Sequence, residues 1–244
     1  MPSLVLTFHK VLLLCARFFW FVLGLTLTTR LLESCLVAPG PRPGHQPLLA
    51  FAELGALIAS LILSAANDAA LLGILREPDR AGWRFMWASV RAHTGVLFWI
   101  QLRIVLIAVG LIVPAGLLTI WLPKFSLIGF GVGVIYLVLI KYALAYPLAV
   151  DQQLTATRAL KRSWKMTRGH FWYVLFCYVL MALAHFTLNQ LFMTPWLDAH
   201  VPWSLSFFIK HIADGFFNSL WIILGWQMYL EIKDADEAPA AART

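Results

Sequence analysis

Six long apolar stretches restrict the fold of this chain more than any other feature of its sequence. A window of about 19 residues places them near 8–29, 48–75, 95–122, 126–149, 170–192 and 206–231. Each stretch is long enough to cross about 30 Å of hydrocarbon at about 1.5 Å per helical residue. Because lipid offers the backbone no hydrogen bonds, such spans must be helices. The sequence therefore predicts an all-α, polytopic membrane protein with six transmembrane helices.

The composition of the chain also places it in lipid rather than in water. Of the 244 residues, 61% are hydrophobic and 13% are charged, whereas a soluble domain carries about 25% charged residues. The formal net charge of +7 raises nucleic acid as a partner, but the basic residues lie beside the apolar stretches. We interpret them as topology signals and lipid contacts, and we predict no nucleic-acid partner and no cofactor.

Basic residues are distributed unevenly between the connections of the predicted spans. Connection 76–94 carries four Arg and connection 151–169 carries five Lys or Arg, whereas 193–205 carries none. Cytoplasmic loops hold the excess of Lys and Arg. The two basic connections are therefore predicted to face the cytoplasm of a bacterium, and six spans of the inner membrane then put both termini on the same side.

A short basic amphipathic helix is predicted between the fourth and fifth stretches. At about 100° per residue, its cations share an arc of roughly 120°; they are Arg158, Lys161, Arg162, Lys165 and Arg168. The opposite arc holds Ala156, Ala159, Leu160, Ser163, Trp164 and Met166. Such a helix is expected on the membrane surface, with its cations toward anionic headgroups and Trp164 toward the acyl chains. Segment 76–94 predicts a second, less regular interfacial helix.

The same region carries a recognisable pattern. It consists of Pro147, Asp151, Ala159-Leu160, Arg162-Ser163-Trp164, Thr167 and Gly169. The pattern resembles the membrane domain of some bacterial glycerophosphoryl diester phosphodiesterases and the related YciC-type inner-membrane proteins, although Asp151 stands where Glu is commoner. The resemblance is sharp over about 25 residues and loose over 76–232. It implies an all-helical membrane module without an established activity, because phosphodiester cleavage belongs to a separate soluble domain.

These motif residues also have a purely physical interpretation. Pro147 is expected to end the fourth span, and Asp151 to N-cap the basic helix at the positive end of its dipole. Gly169 is expected just beyond the end of that helix, where it lets the chain turn back into the membrane. A well-built elbow between two spans accounts for all three residues.

Ionisable residues inside apolar stretches form a group toward the predicted cytoplasmic side. Arg17, Asp68 and Lys141 belong to it. Because the first two spans run antiparallel, Arg17 and Asp68 are expected at similar depth and are predicted to form a buried ion pair. A proton or substrate path through these residues is the alternative.

A second polar group lies toward the predicted outer side, and its members include His185, Lys210, His211 and Asp214. His211 and Asp214 share a helix face, and Lys210 is spaced to pair with Asp214. His185, His211 and Asp214 together have the ligand chemistry for a divalent metal or a proton relay. Their spacing matches no metalloenzyme signature, so a satisfied polar patch is the other interpretation.

The sequence thus favours a non-catalytic membrane scaffold or accessory factor that contacts anionic lipids. A permease for a small or lipidic solute and a membrane-embedded metal-dependent enzyme remain the alternatives, and a protein partner or a second copy of the chain stays open. We expect a single helical membrane domain over 1–232 and a disordered cytoplasmic tail over 233–244.

Overall fold

The computed structural model describes most of the chain, and all regular structure in the described part is helical. The described residues are 4–20, 22–24, 46–80, 82–118, 140–193, 196, 200–201 and 203–241. The helices are α1 (Leu4–Arg17), α2 (Gln46–Arg76), α3 (Trp83–Leu118), α4 (Ala145–Asp151), α5 (Ala156–Gly169), α6 (Phe171–Phe186) and α7 (Trp203–Ala241). A 3₁₀ turn (Pro78–Arg80) joins α2 to α3, and a π-helical turn (Thr187–Met193) follows α6.

Three helical segments in the described residues are long and apolar enough to cross a membrane. They are Gly55–Arg76, Trp83–Leu111 and Phe171–Asn189. The predicted fourth span lies mostly outside the described residues, and the first is described only as far as residue 24. The described part of the chain is therefore all-helical with three candidate membrane spans, and the number six stays a prediction.

Helices α2 and α3 form a tight hairpin. Ser89 Oγ donates a hydrogen bond to the carbonyl of Ala69 at 2.7 Å, and a Cβ added at Gly73 would lie 2.1 Å from that same Oγ. The absent side chain of Gly73 is what lets the two backbones approach. The separate interfacial helix predicted over 76–94 is wrong, because its residues form the 3₁₀ turn and the first turns of the continuous α3.

Pro147 breaks the helix that precedes it and does not end the predicted fourth span. Residues 140–142 are helical, 143–144 form a turn, and α4 then carries Pro147 inside it. A proline ring clashes with the carbonyl four residues earlier and offers it no hydrogen bond, so the helix breaks beside Ala143. That carbonyl lies against Gly225 of α7, where an added Cβ would be 3.6 Å away.

The elbow between α4 and α5 differs from its predicted form. Gln153 adopts a left-handed φ of 51°, which ends α4, and Thr155 is the residue at the N-cap of α5. Asp151 is the last residue of α4 and so does not cap α5. Gly169 is the last residue of α5, and His170 follows as its C-cap, so the left-handed position expected for Gly169 is not used.

Helix α7 is the central element, since α1, α2, α4 and α6 all pack against it. The largest fully buried side chains include Leu72, Ile100, Leu148, Ile223 and Tyr229. Over residues 233–241 the structure has the end of α7 where a disordered tail was expected, and the rest of that tail lies outside the described residues. The Ala-rich sequence of this end of α7 favours helix, and Asp236 lies 3.3 Å from the ring of His170.

Candidate functional site

The predicted apolar face of α5 packs on the protein itself. Ala156, Ala159, Leu160 and Ser163 are buried, against α3 and α4. Ser163 Oγ donates to the carbonyl of Lys141 at 2.9 Å. The protein therefore covers most of this face. Trp164 is the exception, with 48% of its surface exposed.

Lys141 sits at the joint between α5 and α6 rather than alone in an apolar span. Its ammonium lies 5.3 Å from the centroid of the Trp164 ring and 5.0 Å from that of Phe171. Aromatic faces attract cations at such distances. Lys141 thus holds two aromatic residues at the end of a membrane-spanning segment, while its carbonyl anchors Ser163.

The opposite face of α5 is exposed and uniformly basic. All five predicted cations lie on it. A cleft of about 620 Å³ runs along this face, and we call it the basic cleft; it is lined by Arg158, Lys161, Arg162, Lys165, Met166, Gly169, His170 and Asp236. In the described part of the chain none of its four Lys and Arg residues forms a salt bridge. The basic cleft can therefore bind an anion such as a phosphate.

Asp151 ties the elbow to α7. Its Oδ2 accepts hydrogen bonds from the Tyr229 hydroxyl and from Lys233 Nζ at 3.1 Å. Gln152 Nε2 donates to the same hydroxyl at 3.1 Å. Burial raises the pKa of Asp151, but the bonds from Tyr229 and Lys233 outweigh burial and lower that pKa below its ordinary value. The motif acid is thus a structural anchor whose partners lie far along the chain.

Glu231 forms a second anchor that the sequence pattern does not predict. Its Oε2 accepts bonds from Thr7 Oγ1 and Tyr173 OH, each at 2.6 Å. Its Oε1 accepts from Gln227 Nε2 at 3.0 Å and Lys10 Nζ at 3.3 Å. Both oxygens are satisfied, and the network joins α1, α6 and α7. The available sequence signal was an acid at the end of the sixth apolar stretch.

Asp68 lies at a cavity between five helices. The central cavity, as we name it, measures about 430 Å³ and takes its walls from α2, α3, α4, α6 and α7. Gln101 Nε2 donates to Asp68 Oδ2 at 3.0 Å and to Ser64 Oγ at 3.2 Å. The predicted Arg17–Asp68 pair is wrong, because Arg17 instead lies 3.6 Å from the exposed Asp79.

The outer polar group is brought together in part. His185 Nε2 lies 3.4 Å from Asp214 Oδ1, and Asn189 Nδ2 donates to that oxygen at 2.6 Å. The His185 ring stacks on Phe217 with centroids 4.4 Å apart. The side chain of His211 lies outside the described residues, and among those that are described no three His, Cys, Asp or Glu side chains form a metal-binding group. Lys210 lies on α7, one turn before Asp214.

Comparison with known proteins returns no family model, no curated protein and no solved structure that matches this chain. The YciC-type resemblance therefore remains a prediction from the residues between Pro147 and Gly169.

Proposed function

We propose that this chain is a non-catalytic protein of the bacterial inner membrane that holds an anionic lipid headgroup in the basic cleft. It would act as a scaffold or accessory factor, with six spans and both termini cytoplasmic. The observation that carries the proposal is the basic cleft itself, a concave site whose four Lys and Arg residues have no salt-bridge partner in the described part of the chain.

The position of the cleft supports a lipid ligand over a soluble anion. Helix α5 ends at Gly169, and the membrane-spanning segment Phe171–Asn189 begins two residues later. The cations therefore lie beside the end of a span, where headgroups are concentrated. Each Lys or Arg near an anionic leaflet contributes about 1 kcal/mol of binding free energy, and salt screens it. Trp164, half-exposed on the same helix, is the side chain placed to enter the interfacial layer.

The test is the lipid that accompanies the purified protein. A triple variant, Arg158→Gln, Lys161→Gln and Lys165→Gln, removes three cations from the cleft. A matched control, Arg80→Gln, Arg84→Gln and Arg91→Gln, removes three cations from the 3₁₀ turn and the start of α3. Mass spectrometry of proteins reconstituted in mixed phosphatidylglycerol and phosphatidylcholine nanodiscs should show the anionic lipid depleted around the first variant and little changed around the second. Equal anionic-lipid content in wild type and the cleft variant would contradict the proposal.

A permease is the second candidate function, and the central cavity favours it. A membrane protein that carries a solute needs a site at membrane depth with polar groups facing a cavity. Asp68 and Gln101 meet that description, since both line the cavity from membrane-spanning segments. Uptake of a radiolabelled solute into proteoliposomes, compared between wild type and a cavity variant, separates this function from that of a scaffold.

A further inference from the structure

The central cavity has the size and composition of a small-molecule site. Its volume of about 430 Å³ lies in the range of about 300–1,000 Å³ typical of ligand pockets. Ile104, Trp221 and Ile222 give it apolar surface, and Asp68 and Gln101 give it polar atoms. Such a mixture of a broad apolar wall and a few polar groups is typical of sites that bind amphipathic ligands.

Two buried residues in the wall of this cavity carry acceptor atoms without a hydrogen-bond partner among the described residues. Asp68 is 3% exposed and Gln101 is 8% exposed, and the hydrogen bond between them uses Asp68 Oδ2 and the amide nitrogen. Among the described residues, neither Asp68 Oδ1 nor Gln101 Oε1 has a hydrogen-bond partner. Most buried polar atoms in proteins are hydrogen-bonded, so two unbonded acceptors make this part of the cavity wall a candidate site for a ligand that carries a donor.

The surroundings of Asp68 select a cation rather than an anion. No Lys, Arg or His of the described residues lies within salt-bridge distance of it. A carboxylate without a cation is costly to bury, and it repels an anionic ligand. Tyr146, Tyr178 and Trp221 also line the cavity, and the rings of Tyr178 and Trp221 lie 4.9 Å apart. Aromatic faces attract ammonium groups.

We propose that the central cavity binds a small amphipathic amine. Its ammonium group binds beside Asp68 and Gln101, and its apolar body contacts Trp221 and Ile222. This site shares no residue with the basic cleft, so the proposal stands or falls independently of the lipid proposal.

The experiment compares an amine with its neutral isostere by isothermal titration calorimetry in one detergent. 2-Phenylethylamine is the probe, and 2-phenylethanol has the same apolar body without the charge. We expect the alcohol to bind at least tenfold more weakly. Asp68→Asn should weaken amine binding at least tenfold and leave the alcohol nearly unchanged. Asp79→Asn is the matched control, since Asp79 is exposed in the α2–α3 connection, and it should bind the amine like wild type.

A second variant tests the cavity without touching its charge. Ala182 lines the wall from α6, and Ala182→Leu adds volume there, so both ligands should bind more weakly. Size-exclusion profiles matching wild type show that a variant has folded. No detectable amine binding to wild type, or equal amine affinity in wild type and a folded Asp68→Asn, overturns the proposal. If Ala182→Leu leaves the amine affinity unchanged, the amine binds outside the central cavity, and the proposal is overturned as well.

Discussion

Glu231 and Asp68 are both carboxylates in apolar helices, but their hydrogen bonding differs. Both oxygens of Glu231 have partners, whereas one oxygen of Asp68 has none among the described residues. Glu231 accepts hydrogen bonds from four side chains on three helices. Asp68, in the wall of the central cavity, accepts from Gln101 through Oδ2, and its Oδ1 has no hydrogen-bond partner among the described residues. A fully bonded buried acid rigidifies the helices around it. An acid with a free oxygen at a cavity contributes little to packing, which is why we assign Glu231 to structure and Asp68 to ligand binding.

The largest effect is expected at Glu231. Glu231→Ala leaves Thr7, Tyr173 and Lys10 without their shared acceptor, so the free energy of unfolding should fall by about 3 kcal/mol. Helix α1 should come away from α7 first, and proteolysis within residues 4–17 measures that release. Glu77→Ala is the control, because Glu77 pairs in the described part of the chain with the exposed Arg80 alone, so its loss should cost less than about 1 kcal/mol. Equal losses for the two variants would mean that Glu231 is not an anchor.

An intermediate effect is expected at Asp151, which sharpens the comparison because two side chains of α7 bond one of its oxygens, Oδ2. Tyr229→Phe removes one donor to Asp151 and should lower the free energy of unfolding by about 1–2 kcal/mol at neutral pH. Since the pKa of Asp151 is lowered in the folded state, its contribution is present above the ordinary value of about 3.9. That contribution is lost as the pH falls through the lowered pKa.

Acid denaturation measures this dependence. Wild type should lose more stability between about pH 5 and pH 2 than Asp151→Asn, whose amide does not titrate. Asp236→Asn is the control, because Asp236 is more than half exposed and should leave the acid sensitivity of wild type in place. If Asp151→Asn loses as much stability in acid as wild type does, a group other than Asp151 is responsible for the acid sensitivity.

The sequence predicts best what depends on neighbours along the chain. A 3.6-residue period predicts the basic helix and its single cationic face. The structure has a helix over Ala156–Gly169 whose Lys and Arg residues are exposed, and its place at a membrane surface stays a prediction. The motif acid Asp151 was predicted to matter for a local reason, capping, whereas its partners Tyr229 and Lys233 lie about 80 residues away. Cap preferences can be recognised from a few adjacent residues, but which helix end lies beside an elbow depends on the packing of the whole bundle.

The central cavity is a second feature that the sequence could not predict, because it too depends on contacts between distant parts of the chain. An acid inside an apolar stretch marks Asp68 as unusual, and the sequence predicts a partner for it from membrane depth alone. Depth fixes one coordinate, along the membrane normal. Depth does not determine the rotation of each helix about its own axis. That rotation decides which neighbour each side chain meets, and it places Asp68 beside Gln101 of α3 and Arg17 beside Asp79. A cavity shared by five helices depends on all of their rotations together.

The smallest expected effect is the coupling between Arg17 and Asp68. Asp68→Asn should change the free energy of unfolding by less than about 1 kcal/mol, because an amide oxygen can still accept the hydrogen bond from Gln101. Arg17→Gln should change it by less than about 1 kcal/mol too, since Arg17 and Asp79 are both largely exposed. If the two residues do not interact, the double variant equals the sum of the singles within about 0.5 kcal/mol. A double-mutant cycle in urea, with thermal melts in detergent as a second measure, tests this additivity. A coupling of several kcal/mol would restore the buried ion pair, satisfy the free oxygen of Asp68 and remove the main difference between it and Glu231.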